Sequence, residues 1–599
     1  MYRCACHMPS SPCDLRSDNE CRQRLPMLRK TPWTSLVALC LSAVCGCERP
    51  LSKPTVQAPP KLPIELEGTV AEHAYMFGGG SMDAQAYGIV VRLGNNGSSE
   101  VPPRIRAHLI EYLRKQNLGS ARHGTEEISP ARILNDKDTA VVLVEGTIPP
   151  GAPAGTRFDV VVTALPQTQT RSLDGGVLMP IELSMALGGG SLVQGAKVLA
   201  RASGPVFVNP FLDPTKPAES AKFRTGRILN GAVVTEDRPI RLILRQPDYG
   251  RCSLIERRIR ERFGEVEHGL GPARKKIANA IGADTLEVSI PPQWQDDYLH
   301  FLQLILHLPL DPTHGAADAK ARQVAEALQL PGARHEDLAL IWEAMGRQVV
   351  PLIQPLYTSK NAAVAFYAAR TGLRLGDVAL AGPVMIRFAA SANSRHQLAA
   401  IEELGKPRKV IQALQTLRTL IDDPNELVRI AAYESLVRLG DMTTVQRMDI
   451  EGEFQVDIVR SSRGYVIYAT QTGQPKVVLF GQNMVARKPM FYNAPDDLVT
   501  INARENSEKL MVFRKIQRTG QYSDTLQSDF AVRKLIETLG RLDQDDAGRM
   551  RGLGLSYGQI VGTLQRMCKE GDIPAKFVLQ TAPEMEKLYT GFATTGRPD

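Results

Sequence analysis

Apolar positions recur with period two in some stretches of this chain and at three-to-four spacing in others, and the switches divide it. Residues 139–144 and 157–163 read as strands, rich in valine and poor in helix formers. Pro149, Pro150, Gly151, Pro153 and Gly155 connect them. Upstream, residues 87–94 read as a strand ending at Asn95, Asn96 and Gly97. Residues 104–118 carry Ile105, Leu109, Ile110 and Leu113 on one helical face. Further strands are expected over 198–206 and 240–244, with Asn230-Gly231 as a tight turn between apolar runs. Ser253 with Glu256 three residues on predicts a capping box that opens a helix over 253–263. A second helix is expected over 273–281, an alternating strand through Leu286, Val288 and Ile290, and a helix over 298–308. From residue 316 the pattern is helical throughout. Strand signals return over 454–512, with a turn at Thr472-Gly473-Gln474-Pro475, and helices over 530–539 and 557–568 close the pattern. The fold class this predicts is multidomain α+β.

The helical region contains an internal repeat. Asn361, Val364, Ala368 and Leu375-Gly376-Asp377 return 64 positions later as Asn425, Val428, Ala432 and Leu439-Gly440-Asp441. Residues 401–405 supply an intermediate ending. Asp423-Pro424 before Val428-Arg429 resembles a HEAT repeat. Such hairpin units stack because none buries its apolar face alone. Ala368, Ala369, Ala431 and Ala432 permit close helix approach. The array is either a protein-binding surface or a spacer packed on its neighbours.

Three motifs in order carry a second resemblance. They are Tyr87-Gly88 with the apolar run behind it, Arg157-Phe158-Asp159-Val160 followed by Ser172-Leu173-Asp174-Gly175-Gly176, and Gly226-Arg227-Ile228-Leu229-Asn230-Gly231-Ala232. Together they resemble the bacterial flagellar P-ring protein family over about 88–310. Departures are Ala86 and Arg92, where that family usually has Gly, and Leu229 in place of Pro. The segment 558–564, with Pro574 and residues 578–580, is similar to the family's C-terminal helices, which would make the helical array an insertion. The resulting layout is a signal region over 1–47, with 1–26 a possible over-extended start ahead of Met27, and a Pro-rich tether over 48–63. A mixed α/β P-ring-like domain follows over 64–311, then a HEAT-like helical solenoid over 316–447. A small β-rich domain over 448–515 and C-terminal helices with a tail over 525–599 complete it.

The address comes from the N-terminus. Arg29 and Lys30 precede an apolar run over 33–44, too short to span a bilayer and suited to a signal-peptide core. It ends in Val44-Cys45-Gly46-Cys47, similar to a bacterial lipobox, which marks Cys47 as a lipidated first residue. Glu48 behind it favours the outer membrane by the usual sorting resemblance. A plain secretory signal cut nearby is the alternative. The tether holds Pro50, Pro54, Pro59, Pro60 and Pro63 and is extended by composition. Seven of the 9 cysteines lie at or before Cys47, leaving Cys252 and Cys568 as a pair or as two separate thiols.

Composition changes this picture little. The 599 residues are enough for several cores, and 43% hydrophobic with 23% charged residues is ordinary for a folded protein. The net charge of +8 is solubility charge or assists contact with an anionic envelope surface. Arg257, Arg258, Arg260 and Arg262 make one helix basic, as a solvated face or for an acidic partner.

No constellation points to catalysis. The 10 histidines form no metal motif, and His300 and His307 share a helix face without a third ligand. Asp296-Asp297 and Asp543-Gln544-Asp545-Asp546 lack calcium-loop spacing. Gly188-Gly189-Gly190 is followed by no Gly-Lys-Ser/Thr, and Gly552-Leu553-Gly554 lacks a dinucleotide context. Aromatic residues make up only 6% and are not interleaved with basic ones, which argues against nucleic-acid binding. Catalytic, cofactor and metal residues are therefore expected to be absent, and lipidation is expected at Cys47.

The P-ring resemblance implies a structural, non-enzymatic protein of the flagellar basal body. It would self-associate into a ring around the rod in the periplasm, beside L-ring components and with contact to peptidoglycan. Strand edges in 139–163 are candidate material for the ring interface. The alternative is an outer-membrane lipoprotein that binds proteins through its HEAT-like repeats.

Overall fold

The computed structural model describes residues 66–580, apart from 78–80, 119–128, 150, 186–196, 213–215, 238–239, 268–273, 312, 314, 393, 408–409, 495–496, 517–518 and 543–550. The signal region, Cys47, the tether, the glycine triplet at 188–190 and the acidic run at 543–546 lie outside the described residues.

The N-terminal body is built on a closed barrel. Its strands are β2 (Met82–Val91), β3 (Ala140–Ile148), β4 (Arg157–Ala164), β5 (Val177–Met185), β6 (Val198–Pro205) and β7 (Thr225–Val234), in the order β2-β3-β4-β7-β6-β5. All neighbours are antiparallel, and β5 closes on β2. The alternation read from sequence sorts the two faces. Ala84, Val90, Val142, Val144, Val160 and Val162 point into the barrel core. Ile89 and Val141 point outward under α1 (Pro103–Lys115) and α2 (Pro130–Asn135), which bring Leu109, Leu113 and Leu134 onto them. A six-stranded interior is narrow, so small residues are needed there. A methyl group at Gly226 would fall 2.4 Å from Val206 Cγ1.

Closure bears on one expectation. β3 and β4 each have a strand on both sides and pair with each other from Val142↔Ala164 to Glu145↔Val161, so over that span the expected strand edges are taken up within the barrel. Asn230-Gly231 is also not a hairpin turn. It is a bulge inside β7, where the pairing to β4 shifts between Phe158 and Val160 and Asn230 takes φ of 51°.

Beside the barrel, β1 (Ala74–Phe77), β8 (Ile240–Leu244), β11 (Ala278–Ala280) and β12 (Thr285–Val288) form an antiparallel sheet in the order β1-β8-β12-β11. The short hairpin β9 (Glu265–Glu267) and β10 (Arg274–Lys276) precedes β11. The helix expected over 273–281 is therefore two strands. Buried Ala278 pairs across from Val288, so tertiary pairing overrides a helix-favouring composition. α3 (Tyr249–Phe263) begins earlier than expected. Its cap is Asp248, which accepts from the Gly250 and Arg251 N–H groups, and Ser253 lies inside the helix. Glu256 instead accepts from Lys276 and the Ala280 N–H. α4 (Tyr298–Leu306) ends this body almost wholly buried.

The helical region runs through α5 (Ala316–Ala327), α6 (His335–Met345), α7 (Ala362–Arg374), α8 (Val378–Ala390), α9 (Gln397–Leu404), α10 (Ile411–Leu420) and α11 (Glu426–Arg438). A mixed five-stranded sheet follows. It comprises β13 (Val445–Ile450), β14 (Phe454–Val459), β15 (Val466–Ala469), β16 (Lys476–Phe480) and the late strand β21 (Lys576–Leu579), in the order β13-β14-β16-β15-β21. One face packs on the helices and the other on the C-terminal core, so β15 is buried along its whole length. A second sheet holds β17 (Met490–Asn493), β18 (Val499–Ala503), β19 (Leu510–Arg514) and β20 (Leu526–Ser528). α12 (Val532–Gly540) and α13 (Tyr557–Glu570) pack between. Because β21 pairs in parallel with β15, residues 448–515 and 525–580 share a sheet. No helix among the described residues is long and apolar enough to cross a membrane.

Candidate functional site

Residues of two of the three motifs meet at the barrel's outer seam with the C-terminal region. The two extra residues of the β7 bulge take the Asn230 N–H out of the ladder, and Asp159 Oδ1 accepts it at 2.7 Å. The same oxygen accepts from the Gly473 N–H at 3.3 Å, in the turn between β15 and β16. Arg227 lies 3.8 Å from Asp159 Oδ2. Thus Asp159 of one motif holds Arg227 and Asn230 of another, and ties both to a turn 314 positions away. Burial pushes the Asp159 carboxyl up, against the pull of these donors.

The Ser-Leu-Asp-Gly-Gly motif does similar work. Gly175 takes φ of 72°, and Asp174 accepts from Gln559 Nε2 at 3.2 Å. Gln559 is itself half of a capping box with Ser556 that opens α13. A methyl group at Gly175 would lie 2.7 Å from Gln559 Nε2. Arg92, at a position where glycine would be unstrained, holds φ of 66°, and its charge acts on Glu453 of the β13–β14 turn.

A second junction joins α4 to the helical region. His300 Nε2 meets Glu343 Oε1 at 2.7 Å. Arg374 Nη1 donates to Glu343 at 3.1 Å, while its Nε and Nη2 grip Glu403 at 3.0 and 2.7 Å. Arg262 caps the end of α6 by donating to the Ala344 and Glu343 carbonyls. Burial alone would raise the Glu343 pKa, but the His300 hydrogen bond and the Arg374 charge outweigh it and hold it at about 2. Further along α4, His307 Nε2 meets Asp337 Oδ1 at 3.3 Å and its Nδ1 meets the Gln303 carbonyl. The shared face read from sequence for His300 and His307 is therefore the face docked on α6, and each ring has a protein partner.

The third junction joins helix to sheet. Buried Asp457 on β14 accepts from the Tyr433 hydroxyl of α11 at 2.5 Å and twice from Arg447 at 2.8 Å. Neither Asp457 nor Glu343 was visible as special in sequence, because both partners lie on other elements.

These groups hold the fold; they do not converge on an open reacting centre. Among the described residues no group of three or more His, Cys, Asp or Glu could hold a metal ion. Cys252 and Cys568 are unbridged, and burial pushes both thiols up, Cys568 to about 12.

Residues 74–320 match the family model described as flagellar P-ring protein, and residues 382–449 match HEAT repeats. Both resemblances read from the motifs are thus borne out. Among similar proteins is the flagellar P-ring protein of Thermotoga maritima, 29% identical over 244 residues, which are 39% of this chain and 64% of that protein. That of Aquifex aeolicus is 30% identical over 214 residues, 34% of this chain and 51% of that protein. That of Geobacter sulfurreducens is 25% identical over 350 residues, 55% of this chain and 85% of that protein. The chain therefore spans just under two thirds of the Thermotoga relative's length.

Proposed function

We propose that this chain is a structural component of the bacterial flagellar basal body, similar to the P-ring protein, and assembles with copies of itself around the rod. The observation that carries this reading is the match over 74–320, a span that includes Asp159 and Asp174, which hold the β7 bulge and fasten the barrel to α13. A ring of identical subunits needs one patch to meet a different patch on the next copy. With β3 and β4 paired to each other over part of their length, side-chain surfaces and loops join the remaining strand ends as material for it.

The finer reading is as follows. The protein is exported, lipidated at Cys47 and held at the outer membrane by the 48–63 tether. Residues 316–447 form a HEAT-like solenoid that adds a protein-binding surface to the P-ring-like domain over 64–311, with the parts over 448–515 and 525–599 closing the chain. Rod and L-ring components and peptidoglycan are its partners, and it performs no catalysis.

Removing the gene tests the main reading. Cells should lose motility, and their basal bodies should lack the ring around the rod. Normal swimming with an intact ring would contradict it. The anchor is tested separately. Cys47→Ala should move the protein from the membrane to the soluble fraction, and unchanged fractionation would reject lipidation.

A further inference from the structure

Between the barrel and the C-terminal region lies an open cleft of about 750 Å³. That volume is in the range of small-molecule sites. Its walls are cationic. Arg171 and Arg224 come from the barrel side, Lys515 and Arg566 from the other, against Asp174 as the lining acid. Asp174 is already engaged by Gln559.

Three of these four cations, Arg171, Arg224 and Arg566, have no carboxylate partner among the described residues. Arg224 donates to the Leu165 carbonyl at 2.6 Å and reaches the Thr168 hydroxyl at 3.5 Å; Arg566 donates to the Leu212 carbonyl at 3.4 Å. Lys515 has Asp497 at 3.6 Å. Arg171 has no carboxylate partner among the described residues and is exposed. Carbonyls orient a guanidinium but leave its charge uncancelled, and the remaining N–H groups suit a carboxylate or phosphate.

An independent feature points into the same space. Tyr492 lines the cleft at 2% exposure, and its hydroxyl, beside Thr563 and Arg566, makes no hydrogen bond of good geometry. Thr563 and Arg566 thus leave that buried hydroxyl imperfectly satisfied, a deficit that a bound acceptor would make good.

We propose that this cleft binds a small ligand carrying a carboxylate or phosphate group. Arg171, Arg224, Lys515 and Arg566 supply its counter-charge, and the Tyr492 hydroxyl donates to it.

The test is calorimetric titration of the mature protein with pyrophosphate in one arm and citrate in the other. One saturable site is expected in at least one arm, and the arm that binds tells phosphate from carboxylate. Arg171→Glu should weaken it at least tenfold with the thermal midpoint unchanged, because the Arg171 side chain is exposed and pairs with no carboxylate among the described residues. Tyr492→Phe should weaken it several-fold without loss of stability. Absence of saturable binding in both arms would overturn the proposal. So would binding that neither variant changes, since that would place the anion on general surface charge.

Discussion

Arg374 is the residue on which most of the buried charge converges. It bridges Glu343 and Glu403 with a side chain only 8% exposed. Burying these ions is costly, and the geometry repays it only while every partner is present. Arg374→Ala should therefore destabilise the protein by about 3–5 kcal/mol, measured by urea unfolding; a loss below about 1 kcal/mol would mean that the junction carries little. The same site sets an acid response. Glu343 is held at about 2 in the folded chain against an ordinary 4.5. Its contribution is present above about pH 4.5 and is lost as the pH falls toward 2. The stability gap between the parent and Glu343→Gln should narrow across that interval. A gap independent of pH there would remove the carboxylate from the account. Nothing local marks these residues. His300 shows only a helix face in sequence, while its partner sits 43 positions away. Motif residues were legible as motifs, but Gly473 and Gln559, which tie Asp159 and Asp174 to the C-terminal region, lie hundreds of positions on.

At the scale of the element, local chemistry read well wherever it closes locally. The repeat is the clearest case. Asn361 and Asn425 cap α7 and α11 by accepting from the Ala363 and Leu427 N–H groups. Both helices end at a left-handed glycine, Gly376 and Gly440. The Asp377 N–H then reaches back to Gly372 and the Asp441 N–H to Leu436, the bond pattern of a Schellman stop. Even the aspartate side chains act alike, with Asp377 held by Gln354 and Tyr357 and Asp441 by Arg418. Asn361→Ala and Asn425→Ala should each cost about 1 kcal/mol, additively, by denaturant unfolding; unchanged midpoints would show the caps to be idle. Elements were misread where local chemistry has two outcomes. Asn230-Gly231 serves a bulge as well as a turn, and only the partner strand decides. The 273–281 stretch carries Ala, Arg and Lys, and only pairing with β12 makes part of it strand. Ser253 and Glu256 fit a capping box by spacing, but Asp248 reaches the helix start first.

At the scale of the molecule, the described residues close on themselves. The barrel body meets the helices through His300, Glu343 and Arg374. The helices meet the five-stranded sheet through Tyr433 and Asp457. That sheet and α13 return to the barrel through Gly473 and Gln559. The order of bodies was readable from the change of period along the sequence. The return was not, because β21 and α13 find their partners across the whole helical region. Such a closed circuit suits a part that transmits load. Electron cryo-microscopy of basal bodies isolated from cells that produce this chain tests that idea most directly. The account predicts a ring around the rod whose repeating unit accepts the six-stranded barrel, with the helices attached to it. Basal bodies whose ring has no density for this chain, with the protein recovered apart from them as a monomer, would contradict it.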